Sequence, residues 1–491
     1  MKLNWFSPLP PAKTEIGRFT AGILPHLSRD ARITLWTDQS DWDPSLNNYA
    51  VVRRYQPGRT HWDEINRADL TVYNIGNNPL FHGSIWEVSQ RHPGVVVLHD
   101  YNLQEFFYSL YLDPWQDLNA YLILMEYYYG EQGRVEAESA FKHKLLPSLI
   151  EPYPLTQLGV ENALGVVVHS VESLEKLKQT VTCPLTYAPL PSTRAAVEPA
   201  ADRVDVGRPY RLIVFGYLGP NRRLAELLKV LGEFASQQDF RLDIYGEVTN
   251  HNELTNLIRR FALAKQVTLH GFVPESELEQ AMSVAQLAIN LRYPTAGEAS
   301  ASQLRIWSHS LPSLVTQVGW YATLPENTVG FVRPEHELSD LRDHLGNFFS
   351  DPGSFAELGR NGFTLYRQQH LPEQYVQTLL GLVSEAMEFR SVSAWQKLIV
   401  RTRLEMANSF DGKISNDAWA ELVKQVDLQA EPRDQEWTKR MKQKASLVYG
   451  RTPAGTQHFK FSKRLKRLIR MRLPPRVYEY YLSKKAWIWH N

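Results

Sequence analysis

The feature that most constrains this chain is an alternation of strand-like and helix-like segments, spelled twice with a polar break between. Short apolar runs at 2–6, 33–37, 70–73, 95–99, 165–169 and 185–188 are separated by helical patterns such as 16–28, 84–91, 104–112 and 171–179. Strand and helix in turn predict a parallel, doubly wound sheet. Between 191 and 209 the chain becomes polar and rich in Pro, Ala and charge (PSTRAAVEPAADRVDVGRP), as linkers between domains are. The alternation restarts at Tyr210, with strands predicted at 212–217, 241–245, 267–269, 287–291 and 313–316 and helices at 224–237, 253–264 and 275–283. Two similar α/β halves, 1–190 and 210–365, are therefore expected to face one cleft. Such sheets bind ligands beyond their strand C-termini.

With 43% hydrophobic and 22% charged residues, the 491-residue chain is neither disordered nor membrane-spanning in character. No apolar run approaches the ~20 residues of a transmembrane helix. The opening MKLNWFSPLPP lacks the apolar core of a signal peptide. Cys183 is the only cysteine, which excludes an intrachain disulfide and cysteine-built metal sites and makes the cytoplasm the expected compartment. Charge is unevenly spread: residues 437–491 carry 15 Lys or Arg against one acid, Glu479, whereas 1–436 carry 39 basic and 52 acidic residues. Within this tail the helical pattern 460–473 sets Phe461, Leu465, Leu468 and Ile469 against Lys463, Arg464, Lys466, Arg467 and Arg470. Two readings stay open for it: a peripheral membrane surface, or a basic face packed on the acidic body. Nucleic acid is not expected, because no recognition motif accompanies the charge.

The most informative stretch is LAINLRYPTAGEASASQLRIWSHSLPSLVTQVGW, 287–320. A buried strand leads through Pro294 and Gly297 to Glu298, then to Ala299, Ser300, Ala301 and Ser302, before a helix with Leu304, Trp307 and Leu311 on one face. Small residues at a strand-to-helix turn let an anion approach free backbone N–H groups at the positive end of the helix. A carboxylate beside a phosphate would be repelled, so Glu298 is expected to accept bonds from sugar hydroxyls instead.

This stretch resembles the donor-site motif of retaining glycosyltransferases of the GT-B fold, glycosyltransferase family 4. Their E-x7-E motif is matched by Glu298, while its second Glu falls on Ile306, as in a subgroup lacking that residue. LIVFGYLGPNRRLAELLKVL (212–231) is similar to the family's pyrophosphate-binding G-R-x-x-x-x-K turn, with Gly216 at the glycine, Arg222 at the lysine and Tyr217 in place of the arginine. Arg222 or Arg223 would then neutralise the diphosphate. LDIYGEVTN…GFVPE resembles the segment that holds the base, at Phe272 and Val273. SPLPPAKTEIGRFT resembles the family's first loop, with Lys13 and Thr14 as phosphate or acceptor contacts. His99 stands where a family histidine contacts the transferred sugar, and His169 repeats that geometry.

The resemblance implies an α/β GT-B fold of two Rossmann-like domains, a helix at 366–390 returning to the first domain, and a helical basic extension at 391–491. It implies transfer of a sugar, with retention, from a nucleotide-diphosphate sugar to a carbohydrate or lipid-linked acceptor, with His99 and Glu298 as the catalytic pair. No cofactor or metal is expected; the D-x-D at Asp41–Asp43 lies in a polar loop and reads as a turn. A non-catalytic GT-B scaffold of a glycan-assembly complex and a GT-B nucleotide-sugar epimerase or phosphorylase stay open as alternatives.

Overall fold

The computed structural model describes residues 1–56, 59, 61–194 and 207–409. The first sheet holds β1 (Lys2–Phe6), β2 (Arg32–Thr37), β3 (Ala50–Arg54), β4 (Leu70–Ile75), β5 (Val95–Leu98), β6 (Gly165–Val168) and β7 (Leu185–Tyr187). The order is β3-β2-β1-β4-β5-β6-β7. All pairings are parallel. The second sheet holds β8 (Tyr210–Phe215), β9 (Phe240–Tyr245), β10 (Val267–Gly271), β11 (Leu287–Asn290), β12 (Ser313–Thr316) and β13 (Gly330–Val332). Its order, β10-β9-β8-β11-β12-β13, is likewise all parallel.

Helices cover both faces, so central strands bury every side chain: β5 reads VVVL and β6 GVVV with no exposed position. Successive residues serve opposite cores, Val96 and Leu98 in one, Val95 and Val97 in the other. In each sheet the strand order reverses beside the first strand, between β1 and β4 and between β8 and β11. Connections leave those neighbours in opposite directions and open a crevice at the strand C-termini. That pair of crevices positions the site.

The long helix Pro372–Ser409 lays Tyr375, Val376, Leu379, Leu382, Val383 and Ala386 into the first sheet's core, a stripe at spacings of three and four. The chain thus ends its second domain and returns to the first. Two strands are absent from the sequence reading. β3 (AVVRR) is an edge strand with a mostly solvated pattern, and β13 (GFV) has only three residues. In the aromatic segment after Tyr101, Phe106, Phe107, Tyr111 and Tyr121 are buried in the first-domain core. No helix among the described residues is long and apolar enough to cross a membrane. The basic segment 460–473 lies outside the described residues.

Candidate functional site

On the second-domain side, β8 and β9 end in Gly216 and Gly246, at φ +117° and +120°. A Cβ on Gly246 would collide with the Gly216 carbonyl, so only glycine allows these two exits to run so close. Opposite Gly216, the loop after β11 enters the helix Ala301–Ser308. Ser300 caps it, its Oγ accepting from the Gln303 amide at 3.1 Å. The amides of Ala301 and Ser302 have no hydrogen-bond partner among the described residues and border the cleft. Unpaired N–H groups, a helix dipole and small side chains together make an anion site.

Arg222 reaches this place from below. Its guanidinium is buried, and Nη2 donates to the Phe215 carbonyl at 3.1 Å and to Asn290 Oδ1 at 3.0 Å. Nε and Nη1 have no hydrogen-bond partner among the described residues. Burial, and then repulsion from Arg292, lower its pKa to about 10, so it stays charged at neutral pH. A buried cation with two uncommitted donor nitrogens against a cavity is a receptor for an anion.

Arg223 does not share that role, contrary to the expectation from sequence. Its backbone turns at φ +55°, and its guanidinium grips Glu337 at 2.6 and 3.0 Å and Glu226 at 2.8 Å. It is committed to its own domain and does not line the cleft. A cation that does line the cleft, as Arg222 does, is Arg292, just beyond β11, which the sequence reading missed. Arg292 pairs with Glu298 Oε1, while Glu298 Oε2 accepts from Thr295 Oγ1 at 2.8 Å and the Ala296 amide at 2.9 Å. Standing beside Glu298, Arg292 offsets the negative charge of that carboxylate. The only available signal was a cation two residues past Asn290 at the end of a buried strand. Ile306 is core, packed with Ile213, Phe215, Tyr245 and Met282, so this helix supplies no second carboxylate.

Past Gly216, Ala301 and Ser302 the cleft continues into a side chamber of about 190 Å³ lined by Tyr245, Gly246, Phe272 and Val273. Phe272 is 63% exposed, and Lys13 Nζ of the first domain lies 4.9 Å from its ring centre. The Tyr217 hydroxyl donates to the Lys13 carbonyl at 3.3 Å. Thr14 caps the helix Glu15–Asp30 through the Ile16 amide. A backbone bond from the Asn102 amide to the Ala296 carbonyl, 2.8 Å, joins the domains on the other side.

The first domain presents a different chemistry. His99 is buried at the end of β5, and its Nε2 donates to Asn74 Oδ1 at 3.0 Å. Asn74 Nδ2 is itself donating to the Phe6 carbonyl, which fixes that direction and leaves His99 Nδ1 as an acceptor. His82, unforeseen from sequence, donates Nδ1 to the Asn74 carbonyl at 2.9 Å. His169 donates Nδ1 to the Ala188 carbonyl at 3.0 Å, and its Nε2 has no partner among the described residues. Burial lowers the pKa of His82 and of His169 to about 4. It lowers that of His99 well below the ordinary value, with repulsion from His169 and His82 adding to the effect. All three rings line the cleft as neutral hydrogen-bond acceptors at pH 7. Beside them Asp100 accepts from the Asn77 amide at 2.7 Å, with burial raising its pKa.

His99, Glu298, Arg222, Lys13, Thr14 and Ala299–Ser302 thus meet around one cleft of about 950 Å³ and its side chamber. No group of three or more His, Cys, Asp or Glu among the described residues is arranged to hold a metal ion. Asp43 of the D-x-D caps a 3-10 turn through the Ser45 amide at 2.9 Å.

No protein-family description matches the chain, and no curated protein matches it in sequence. Solved structures do match in shape. Sucrose-phosphate synthase from Thermosynechococcus elongatus is 15% identical, with a TM-score of 0.54 over 78% of this chain and 98% of that one. HepE of Anabaena in complex with UDP-glucose is 14% identical, with a TM-score of 0.52 over 78% and 99%. A glycosyltransferase from Rickettsia africae is 11% identical, with a TM-score of 0.54 over 79% and 98%. With its two reversed parallel sheets closing on one cleft, the chain has the two-domain α/β GT-B fold of these structures.

Proposed function

We propose that this protein is a glycosyltransferase that moves a sugar, with retention, from a nucleotide-diphosphate sugar to a carbohydrate or lipid-linked acceptor. The observation that carries this reading is the polarity of the cleft: a buried arginine with two uncommitted nitrogens and a free helix start on one wall, three neutral histidines on the other. A nucleotide-diphosphate sugar has the same polarity, anionic in the middle and neutral at the sugar.

Arg222, Arg292 and the Ala301–Ser302 amides would hold the diphosphate as its charge rises on leaving, which is where electrostatic stabilisation contributes most. His99 and Glu298 would orient the ring. Glu298, already bound to Arg292, Thr295 and Ala296, suits orientation better than attack at the anomeric carbon. The departing diphosphate itself then takes the acceptor proton on the same face, and catalysis rests on positioning rather than on a protein nucleophile. The single cysteine suits the cytoplasm, with the basic segment 460–473 as a candidate contact to the membrane.

Because HepE is known in complex with UDP and UDP-glucose, uridine-diphosphate sugars are the first donors to test. The full-length chain is incubated with them and with glycan acceptors, UDP release is followed, and the anomeric configuration of the product is read by NMR. Glu298→Ala and Arg222→Ala are expected to abolish transfer with unchanged circular dichroism. Near-normal turnover in both variants would overturn the assignment.

A further inference from the structure

We propose that the ribose of the nucleotide is held by Glu275, a carboxylate supplied from a different helix than the one that lacks it at Ile306. This rests on the nucleotide-sugar reading above and adds to it a residue that sets preference for the ribose form of the nucleotide.

The geometry leads there in three steps. First, on that reading the base lies against Phe272 and Val273 and the diphosphate against Gly216, Ala301 and Ser302, which line one chamber, so the ribose must bridge them. Glu275 opens the helix Glu275–Val284 two residues past Val273, and it lines the same chamber. Second, Glu275 is tied across the gap to the phosphate helix. Its Oε1 is ion-paired with Arg305 Nη2 at 3.0 Å, and Arg305 stands one turn after Ala301 and lines the chamber. Arg194 Nη1 bonds to the same oxygen. The carboxylate therefore lines the chamber against a buried arginine, Arg305 being 4% exposed.

Third, Glu275 has capacity left, whereas its neighbour does not. Glu279 shares Arg194 and Arg305 through Oε1 and gives Oε2 to His309. It does not line the chamber. Glu275 Oε2 makes no hydrogen bond among the described residues; its nearest cation, Arg18 Nη2, is 4.0 Å away. Burial alone would raise the pKa of Glu275, but bonding to Arg194 and the fields of Arg194, Arg305 and Arg18 hold it below the usual range. An ionised oxygen with free lone pairs is an acceptor for vicinal hydroxyl groups.

The test uses the full-length chain, titrated calorimetrically with UDP, ADP and GDP and with their 2′-deoxy and 3′-deoxy forms. Wild type is expected to bind the preferred ribonucleotide about one to two orders of magnitude more tightly than the deoxy forms, the loss that follows a missing hydrogen bond to a charged group. Glu275→Gln keeps the shape and Glu275→Ala removes the acceptor. Both are expected to weaken the ribonucleotide by that factor, leave the deoxy forms unchanged and so abolish the discrimination. Wild-type discrimination in both variants would overturn the role of Glu275 and leave the donor reading standing. Failure of wild type to bind any of these diphosphates would overturn both.

Discussion

The two crevices follow one topological plan and carry opposite chemistry. In each sheet the order reverses beside the first strand, so each domain offers a ready opening at its strand ends. The first domain fills that opening with His82, His99 and His169, each held neutral by burial and turned by a backbone or amide oxygen. The second fills it with Arg222, Arg292, Arg305 and the Ala301 and Ser302 amides, which have no partner among the described residues. The shared plan decides where a ligand goes, and the residues after each strand decide which end of it faces which wall. On the proposed function, charged histidines on the first wall would compete for the diphosphate, whereas neutral ones leave it to the second.

The largest expected effect breaks the cationic wall. Arg222→Met, which keeps much of the volume, is expected to weaken diphosphate binding about 100-fold or more, the consequence of losing about 3 kcal/mol of charge-assisted hydrogen bonding. Its stability in urea should change by no more than about 1 kcal/mol, because removing a buried, partly unsatisfied charge offsets the lost bonds to Phe215 and Asn290. Calorimetry and denaturation on the same variant check both parts.

A smaller effect sharpens the neutral wall. An unfolded histidine takes up its proton near pH 6.5, whereas folded His82 and His169 do so near 4. Between those values the unfolded state binds more protons, so stability is full above about pH 7 and falls as the pH drops towards 4, by on the order of 3 kcal/mol for each ring. Urea midpoints measured from pH 7.5 to 4.5 should show that slope, and His82→Gln should reduce it. A flat profile would mean that the rings are not held neutral.

Much of the frame was legible because buried strands leave little choice. GVVVLHD and LAIN are apolar enough to read as strands without any partner in view. Edge strand β3 was not, since a strand paired on one side tolerates Arg53 and Arg54 at its end. Within the site, Glu298 and the small residues after it announce themselves by pattern. Arg222 and Arg223 do not separate in sequence, because a single turn of the backbone at Arg223 sends one guanidinium into the crevice and the other to Glu337. His82 lies inside the helix Pro79–Arg91, and only the pairing of β4 with β5 brings it beside His99 through Asn74. Glu275 depends in the same way on Arg305, thirty residues on, and no local pattern reports such a meeting.

The division of labour between the walls is tested most directly by titrating His99→Ala with UDP and with the UDP-sugar that wild type prefers. The account predicts unchanged affinity for UDP and loss of the additional affinity that the sugar confers. An equal loss for both ligands would contradict it.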